Sequence, residues 1–195
     1  RATGAGVSAM TSIERDHTEL LGQQEDMIAC DKCDALAPGG VLVLSPSIRE
    51  DIVRAVTAYA RLSDRRVERP RAQGDDLRNT PSGAVFTWRG EADLPVSLPL
   101  IVRHQVDNAV TAIGATSAWL ARDPVRPQPT HATLARMLAA LADARWPGRL
   151  QHVAHDPDLW IDVGHTPHAL DIVTETFADI APPHRTLVVF GVSAT

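Results

Sequence analysis

The sequence predicts an α/β fold, and three observations predict it. "GGVLVLSP" (Gly39 to Pro46) and "TLVVFGVS" (Thr186 to Ser193) are short, nearly unbroken apolar runs, the pattern of strands buried on both faces of a parallel sheet. Between them lie four segments whose apolar residues recur at helical spacing. Strand and helix also alternate from the start of the chain, which calls for helices layered on a sheet.

Taken in order, "VSAMTSI" (Val7 to Ile13) reads as a strand and "ERDHTELLG" as a polar loop or helix start. Gln24 to Leu36 places Ile28, Lys32 and Leu36 at i, i+4 and i+8, and "APGG" from Ala37 stops that helix. The Gly39 strand follows. "SIREDIVRAVTAYARL" then sets Ile48, Ile52, Val53, Val56, Tyr59 and Ala60 on one side of a helix, with Ser47 as its N-cap. The charged, breaker-rich stretch from Ser63 to Gly83 reads as a loop or an irregular strand connection, and "AVFTWRG" and "LPVSLPLIV" as two strands of a hairpin-like excursion. "RHQVDNAVTAIGATSAWLA" carries Val106, Ala109, Val110, Ile113 and Leu120 on one stripe. After a proline-rich connection, Thr130 caps a helix that buries Leu134, Met137, Leu138 and Leu141. The remainder reads strand, strand, helix, strand. Thr166 and Pro167 open its helix as N-cap and N1, and Leu170, Val173, Phe177 and Ile180 form the buried face. The expected domain boundary lies near Trp146, giving residues 1–146 and 147–195.

Composition narrows the function classes. The 195 residues are 44% hydrophobic, enough for a globular core, and no apolar run approaches the roughly 18 residues of a membrane helix. A formal net charge of -5 argues against a large nucleic-acid surface. The first ten residues lack the apolar core of a signal peptide, and two cysteines cannot frame a disulfide-stapled secreted domain. The expectation is a soluble cytoplasmic monomer that binds small molecules.

Of 19 basic residues, 18 are arginine and Lys32 is the sole lysine. Arginine substitutes for lysine wherever a positive charge suffices, but not where an amine must lose its proton and react. Lys32 is therefore a candidate reactive residue. It sits inside a Cys30-x-x-Cys33 pair, which in other settings serves redox or zinc chemistry. Here the pair lies within or near the end of a helix, and no second Cys/His pair completes a zinc set, so the cysteines read as packing residues.

A second candidate is the turn "DVGHTPH", between the carboxyl end of a strand and the N-terminus of a helix, the geometry of an anion or nucleotide site. Asp162 and His165 either contact a nucleotide there or only stabilise the loop. Arg149, in "WPGRL", is either a phosphate contact or a surface turn residue. No G-x-x-x-x-G-K-[ST] loop occurs in the chain.

Six segments together resemble the folylpolyglutamate synthase/dihydrofolate synthase family of the Mur ligase superfamily. They are "MTSIERDHTELLG", "MIACDKCDALAPGG", "RHQVDNAVTAI", "RWPGRL", "IDVGHTPHAL" and "LVVFGVS", and "RATG" at the start is similar to the end of a further family segment. The resemblance implies a Mur-ligase-type central ATPase domain over residues 1–146, without the family's phosphate-binding loop. Residues 147–195 would then begin a Rossmann-like C-terminal domain. It also implies ATP and Mg²⁺ as cofactors and amide formation from L-glutamate and a folate-type carboxylate through an acyl phosphate. On this resemblance Lys32 is carbamylated and, with His17, holds magnesium. Arg149 reaches ATP phosphate, Asp162 contacts the nucleotide with His165 bordering the same turn, and Gln105 and Asn108 lie near the nucleotide or the domain interface. Because the phosphate-binding loop would precede residue 1, this segment by itself is expected to be inactive and to bind ATP weakly. Two other readings stand beside it: another Mur-like amino-acid ligase, and a non-catalytic domain that retains the fold.

Overall fold

The computed structural model describes residues 4–13, 24–70, 76–89, 93–101, 103–122, 129–181 and 186–191. The chain divides into two compact units, residues 1–73 with 107–138, and residues 74–106 with 139–195.

The first unit is built on three parallel strands, β1 (Ala5–Met10), β2 (Leu36–Leu44) and β3 (Arg66–Glu68), in the order β1-β2-β3. Helix α1 (Glu25–Cys33) connects β1 to β2, and α2 (Glu50–Leu62) connects β2 to β3. Alternation along β2 explains the layering. Leu42 and Leu44 pack with Ala29 and Cys33 of α1 and with Ile52, Val56 and Ala60 of α2, whereas Val41 and Val43 face Ala118 of α3 (Arg103–Ala121). All four β2 side chains are at most 1% exposed, so both faces of this strand are covered, as its sequence predicts. The close approach of α3 depends on Gly114, where a Cβ would lie 2.7 Å from Pro70 Cγ and 3.1 Å from Val43 Cγ1. Helix α4 (His131–Ala140) follows, with Thr130 Oγ1 accepting from the Thr133 N–H at 3.2 Å. Leu138 is its one fully buried side chain, and Leu134 and Met137 of the expected face are half-buried.

Two details depart from expectation, and a third decides between open readings. Helix α1 ends at Cys33, where the N–H groups of Asp34 and Ala35 donate to the carbonyls of Asp31 and Lys32 and close a turn; "APGG" then lies inside β2. Its breakers absorb a register shift, since Ala5 pairs Leu36 but Val7 already pairs Val41. Ser47 does not cap α2, which begins after Arg49; its hydroxyl pairs with that of Ser45 at 2.9 Å. Finally, of the two readings left open for the stretch after Ser63, loop or irregular strand connection, Arg66–Glu68 takes the second and forms a short parallel strand. As an edge strand it needs only Val67 to face inward, too weak a signal to stand out among five neighbouring arginines.

The second unit contains an antiparallel sheet, β4 (Arg78–Thr80), β5 (Gly83–Trp88) and β6 (Leu94–Leu98), in which Ala84, Phe86, Val96 and Leu98 are buried. The β5–β6 pair is the expected hairpin; β4 lies in the stretch read as a loop or an irregular strand connection. The unit also holds a two-stranded antiparallel hairpin, β7 (Gln151–His155) and β8 (Asp158–Ile161), and helix α5 (Pro167–Ile180). Ile172, Val173, Phe177 and Ile180 of α5 pack with Trp160 on buried Ile101 and Leu150. The run expected as a parallel strand, Thr186 to Ser193, forms no strand over its described part, residues 186–191. A strand of this kind exists only by ladder pairing, and none of the three described sheets includes residues 186–191. Leu187 and Val189 are accordingly 86% and 90% exposed.

Candidate functional site

The residues singled out by sequence fall into both units. In the first, Lys32 occupies the last turn of α1 and is exposed. Its ammonium makes no hydrogen bond or ion pair with any described residue. The helix packs through Ile28, Ala29 and Cys33, so Lys32 does not share a buried face with Ile28 and Leu36. Helix α1 is fixed at both ends. Glu25, in its first turn, pairs with Arg49 at 2.6 Å, and Asp34, just past its end, accepts from Arg65 at 3.0 Å and from the Tyr59 hydroxyl at 2.8 Å. Arg49 follows the carboxyl end of β2 and Arg65 precedes β3, so α1 runs antiparallel to the strands, with Lys32 toward their amino ends. A cation in the last turn suits the helix dipole, a role arginine fills equally well, so it does not account for the single lysine. His17 lies outside the described residues.

The flanking thiols are free. Cys33 is fully buried, and its pKa is raised, chiefly by that burial. Burial, with Asp26 and Asp34 nearby, also raises that of Cys30. Raised thiol pKa values are the reverse of what redox or metal-binding cysteines require, so the packing reading holds.

In the second unit the turn preceding β7 and the turn following β8 are bonded into one structure. The Asp162 carboxylate accepts from the Leu150 N–H through Oδ2 at 2.7 Å and from the Gly164 N–H through Oδ1 at 2.6 Å. The Val163 N–H donates to the Gly148 carbonyl at 2.9 Å, and the Gly148 N–H donates to Gln151 Oε1 at 2.9 Å. Arg149 is therefore held between two backbone positions tied to the second turn. Both are left-handed, Gly148 at φ 72° and Leu150 at φ 43°; for a leucine this is strained, and strain of this kind collects at functional sites. At Gly148 a Cβ would also strike Val163 Cγ1 at 2.7 Å.

Beyond the second turn, Thr166 caps α5 as its sequence predicts. The Ala169 N–H donates to Thr166 Oγ1 at 3.2 Å, and Pro167 stands at N1. The positive dipole end of α5 thus follows directly on the turn that Asp162 opens, and the turn bonded to it carries Arg149, residue types that suit an anionic group. Asp162 does stabilise the loop, and each oxygen retains a lone pair for a further donor. His165 is exposed, its Nδ1 3.2 Å from the Val163 carbonyl. Gln105 is buried at the start of α3 beside His104, with 3.1 Å between Nε2 atoms; Asn108, half-buried one turn on, belongs to the first unit. The Pro147–Gly148 dipeptide was the available sequence signal for the left-handed turn, whereas nothing local marks Leu150.

No protein-family model matches the chain. Curated relatives do. A probable bifunctional folylpolyglutamate synthase/dihydropteroate synthase of Halobacterium salinarum is 31% identical over 190 residues, 94% of this chain and 22% of that protein. A dihydrofolate synthase/folylpolyglutamate synthase of Bacillus subtilis is 26% identical over 194 residues, 95% of this chain and 43% of the relative. A UDP-N-acetylmuramoyl-L-alanyl-D-glutamate–2,6-diaminopimelate ligase of Chlamydia caviae is 36% identical over 120 residues, 59% of this chain and 23% of that ligase. Among solved structures, the apo form of L. casei FPGS superposes with a TM-score of 0.72 at 24% identity, covering 91% of this chain and 43% of that one. An FPGS–AMPPCP–folate complex gives 0.69 at 24% identity, over 89% and 42%. These likenesses establish the fold. The chain spans 22% to 43% of the length of the two synthases. Among the described residues no helix is long and apolar enough to cross a membrane.

Proposed function

Since the chain belongs to the folylpolyglutamate synthase/dihydrofolate synthase family of the Mur ligase superfamily, we propose that the protein is an ATP-dependent carboxylate–amine ligase. It adds L-glutamate to a folate or dihydropteroate carboxylate and works as a cytoplasmic monomer. The γ-phosphoryl group of ATP passes to the carboxylate, the glutamate amine attacks the acyl phosphate, and inorganic phosphate leaves as the amide forms.

The observation that carries this reading is the paired turn at Gly148–Leu150 and Asp162–Gly164. The turn that carries Arg149 is bonded to the turn that leads into α5, in a chain aligned over nearly its whole length with synthases of this type. Arg149 would contact phosphate and offset the charge that develops on the transferring group. Asp162 would accept from a nucleotide hydroxyl through its remaining lone pairs, with His165 at the rim and Gln105 and Asn108 near the nucleotide. Residues 1–146 would correspond to the central ligase domain and 147–195 to the start of the C-terminal one, with the junction at Trp146–Arg149. Residues 74–106 nevertheless pack with the second unit.

Lys32 fits the role of a magnesium-holding carbamate. Its amine is exposed and unpartnered among the described residues, hence open to carbon dioxide, and the product offers a hard anionic oxygen. His17 would be the second ligand. Bound Mg²⁺ would neutralise charge on the phosphates.

ADP release by the complete gene product, with L-glutamate and either dihydropteroate or tetrahydrofolate, tests the proposal. Turnover that requires a folate-type acceptor supports it, and none with either acceptor sinks it. The diaminopimelate ligase relative favours a second reading, a Mur-type ligase acting on another carboxylate. Turnover with a muramyl-peptide acceptor and diaminopimelate instead would establish that reading.

A further inference from the structure

We propose that the β7–β8 hairpin binds a divalent transition-metal cation through His152, His155 and Asp158, apart from any magnesium site and independently of the ligase reading.

The argument begins with register. His152 and His155 are three residues apart, and in a regular strand an odd spacing sends side chains to opposite faces. The β7–β8 ladder is not regular. His152 pairs Trp160, Ala154 pairs Leu159 and His155 pairs Asp158, so Val153 is an extra residue with no counterpart on β8. This bulge flips the alternation. Asp158 and Trp160 share a face of β8, so both of their histidine partners lie on that face as well.

The side chains have converged there. One ligand atom from each of His152, His155 and Asp158 can be chosen so that all lie within 4.8 Å of one another. His152 Nε2 is 2.7 Å from Asp158 Oδ1, and the two imidazoles meet edge to face with centroids 4.2 Å apart. His152 is in turn held flat on the Trp160 indole at 4.4 Å and 21°, and Trp160 meets Phe177 of α5 edge-on at 5.8 Å. One ligand is thus fixed by packing, while His155 and Asp158 are exposed and free to close on an ion.

The donor set names the class of ion. Two imidazoles with one carboxylate suit Zn²⁺, Co²⁺, Ni²⁺ or Cu²⁺ and are a poor set for Mg²⁺, with water completing the shell. A His152–Asp158 ion pair would explain two of the three residues, but not the second imidazole brought to the same face by a bulge. The cluster lies at the turn end of the hairpin. Asp162 follows the other end, where Gln151 pairs Ile161, so the two sites are separate.

The test is calorimetric titration of the purified chain with Zn²⁺, paired with quenching of tryptophan fluorescence by Cu²⁺. The expected result is saturable binding of one Zn²⁺, weakened at least about tenfold in His155→Ala and in Asp158→Asn, and unchanged in His131→Ala, an exposed histidine elsewhere. Cu²⁺ should quench a component of emission that is lost in Trp160→Phe, while that variant still binds Zn²⁺. His155 and Asp158 are exposed, so unchanged circular dichroism is expected in both variants. Absence of saturable binding in the native chain, or equal affinity in both variants, overturns the proposal.

Discussion

Lys32 and Asp162 are the two residues on which most of the chemical reading rests, and the molecule treats them in opposite ways. Lys32 stands exposed at the end of a helix, with nothing among the described residues to hold its amine. Asp162 is half-buried, with each carboxylate oxygen bonded to a backbone N–H of a different turn. A residue that is bare and is the single lysine among 19 basic residues points to reactivity. A residue already engaged points first to architecture, and to binding only through the lone pairs it has left. Substitutions should therefore separate the two: Lys32 variants should lose activity without losing stability, and Asp162 variants should lose stability first.

The largest effect is expected for Lys32→Arg. If the amine is carboxylated in the working enzyme, turnover of the complete protein should fall by at least about a hundredfold. Its melting temperature should stay within a degree or two of the native value, since the guanidinium preserves the favourable charge at the end of α1. An unaltered rate of ADP release in this variant would remove Lys32 from the chemistry.

Asp162→Ala inverts that pattern. It strips the acceptor from two part-buried N–H groups, and unmade bonds of this kind cost about 2–4 kcal/mol together. Asp162→Asn keeps one acceptor oxygen and should lose roughly half as much. Denaturant unfolding measures both. Equal stability of all three proteins would show that the two turns are not held by this carboxylate. Next in size is Gly148→Ala, which places a Cβ at φ 72° and within 2.7 Å of Val163 Cγ1. The left-handed conformation alone costs about 1–2 kcal/mol, so a melting temperature a few degrees lower is expected.

The contrast also shows what the sequence could reveal. Strand β2, helix α2 and the Thr166–Pro167 start of α5 were legible because each is specified locally, by an apolar run, a helical stripe or a cap. Edge strand β3, with one inward residue, was not. The shift that takes "APGG" into β2 depends on pairing with β1, and no strand is formed over the described part of the run expected from Thr186. Lys32 could be found from composition alone, because the arginine bias is a property of the whole chain. The double engagement of Asp162 joins residues 12 apart, and the shared face of His152 and His155 depends on a bulge; neither can be read from spacing.

The smallest effect concerns the cysteines, and it tests whether the C-x-x-C pair is idle packing beside Lys32. Burial raises both thiol pKa values, Cys33 being wholly enclosed by the α1–β2–α2 core. A thiol whose folded pKa is raised is neutral where the unfolded chain would ionise. The thiols therefore leave stability unchanged below their ordinary value of about 8.5, and stability falls as pH climbs above it, because only the unfolded state gains the thiolate. At pH 7 a disulfide reagent should label Cys30 slowly, and Cys33 only as the unit opens, at a rate that rises in step with added denaturant. Prompt labelling of both at pH 7, or rapid closure of a Cys30–Cys33 disulfide under mild oxidant, would instead make the pair a low-pKa redox couple and return the chemistry of this helix to its sulfurs.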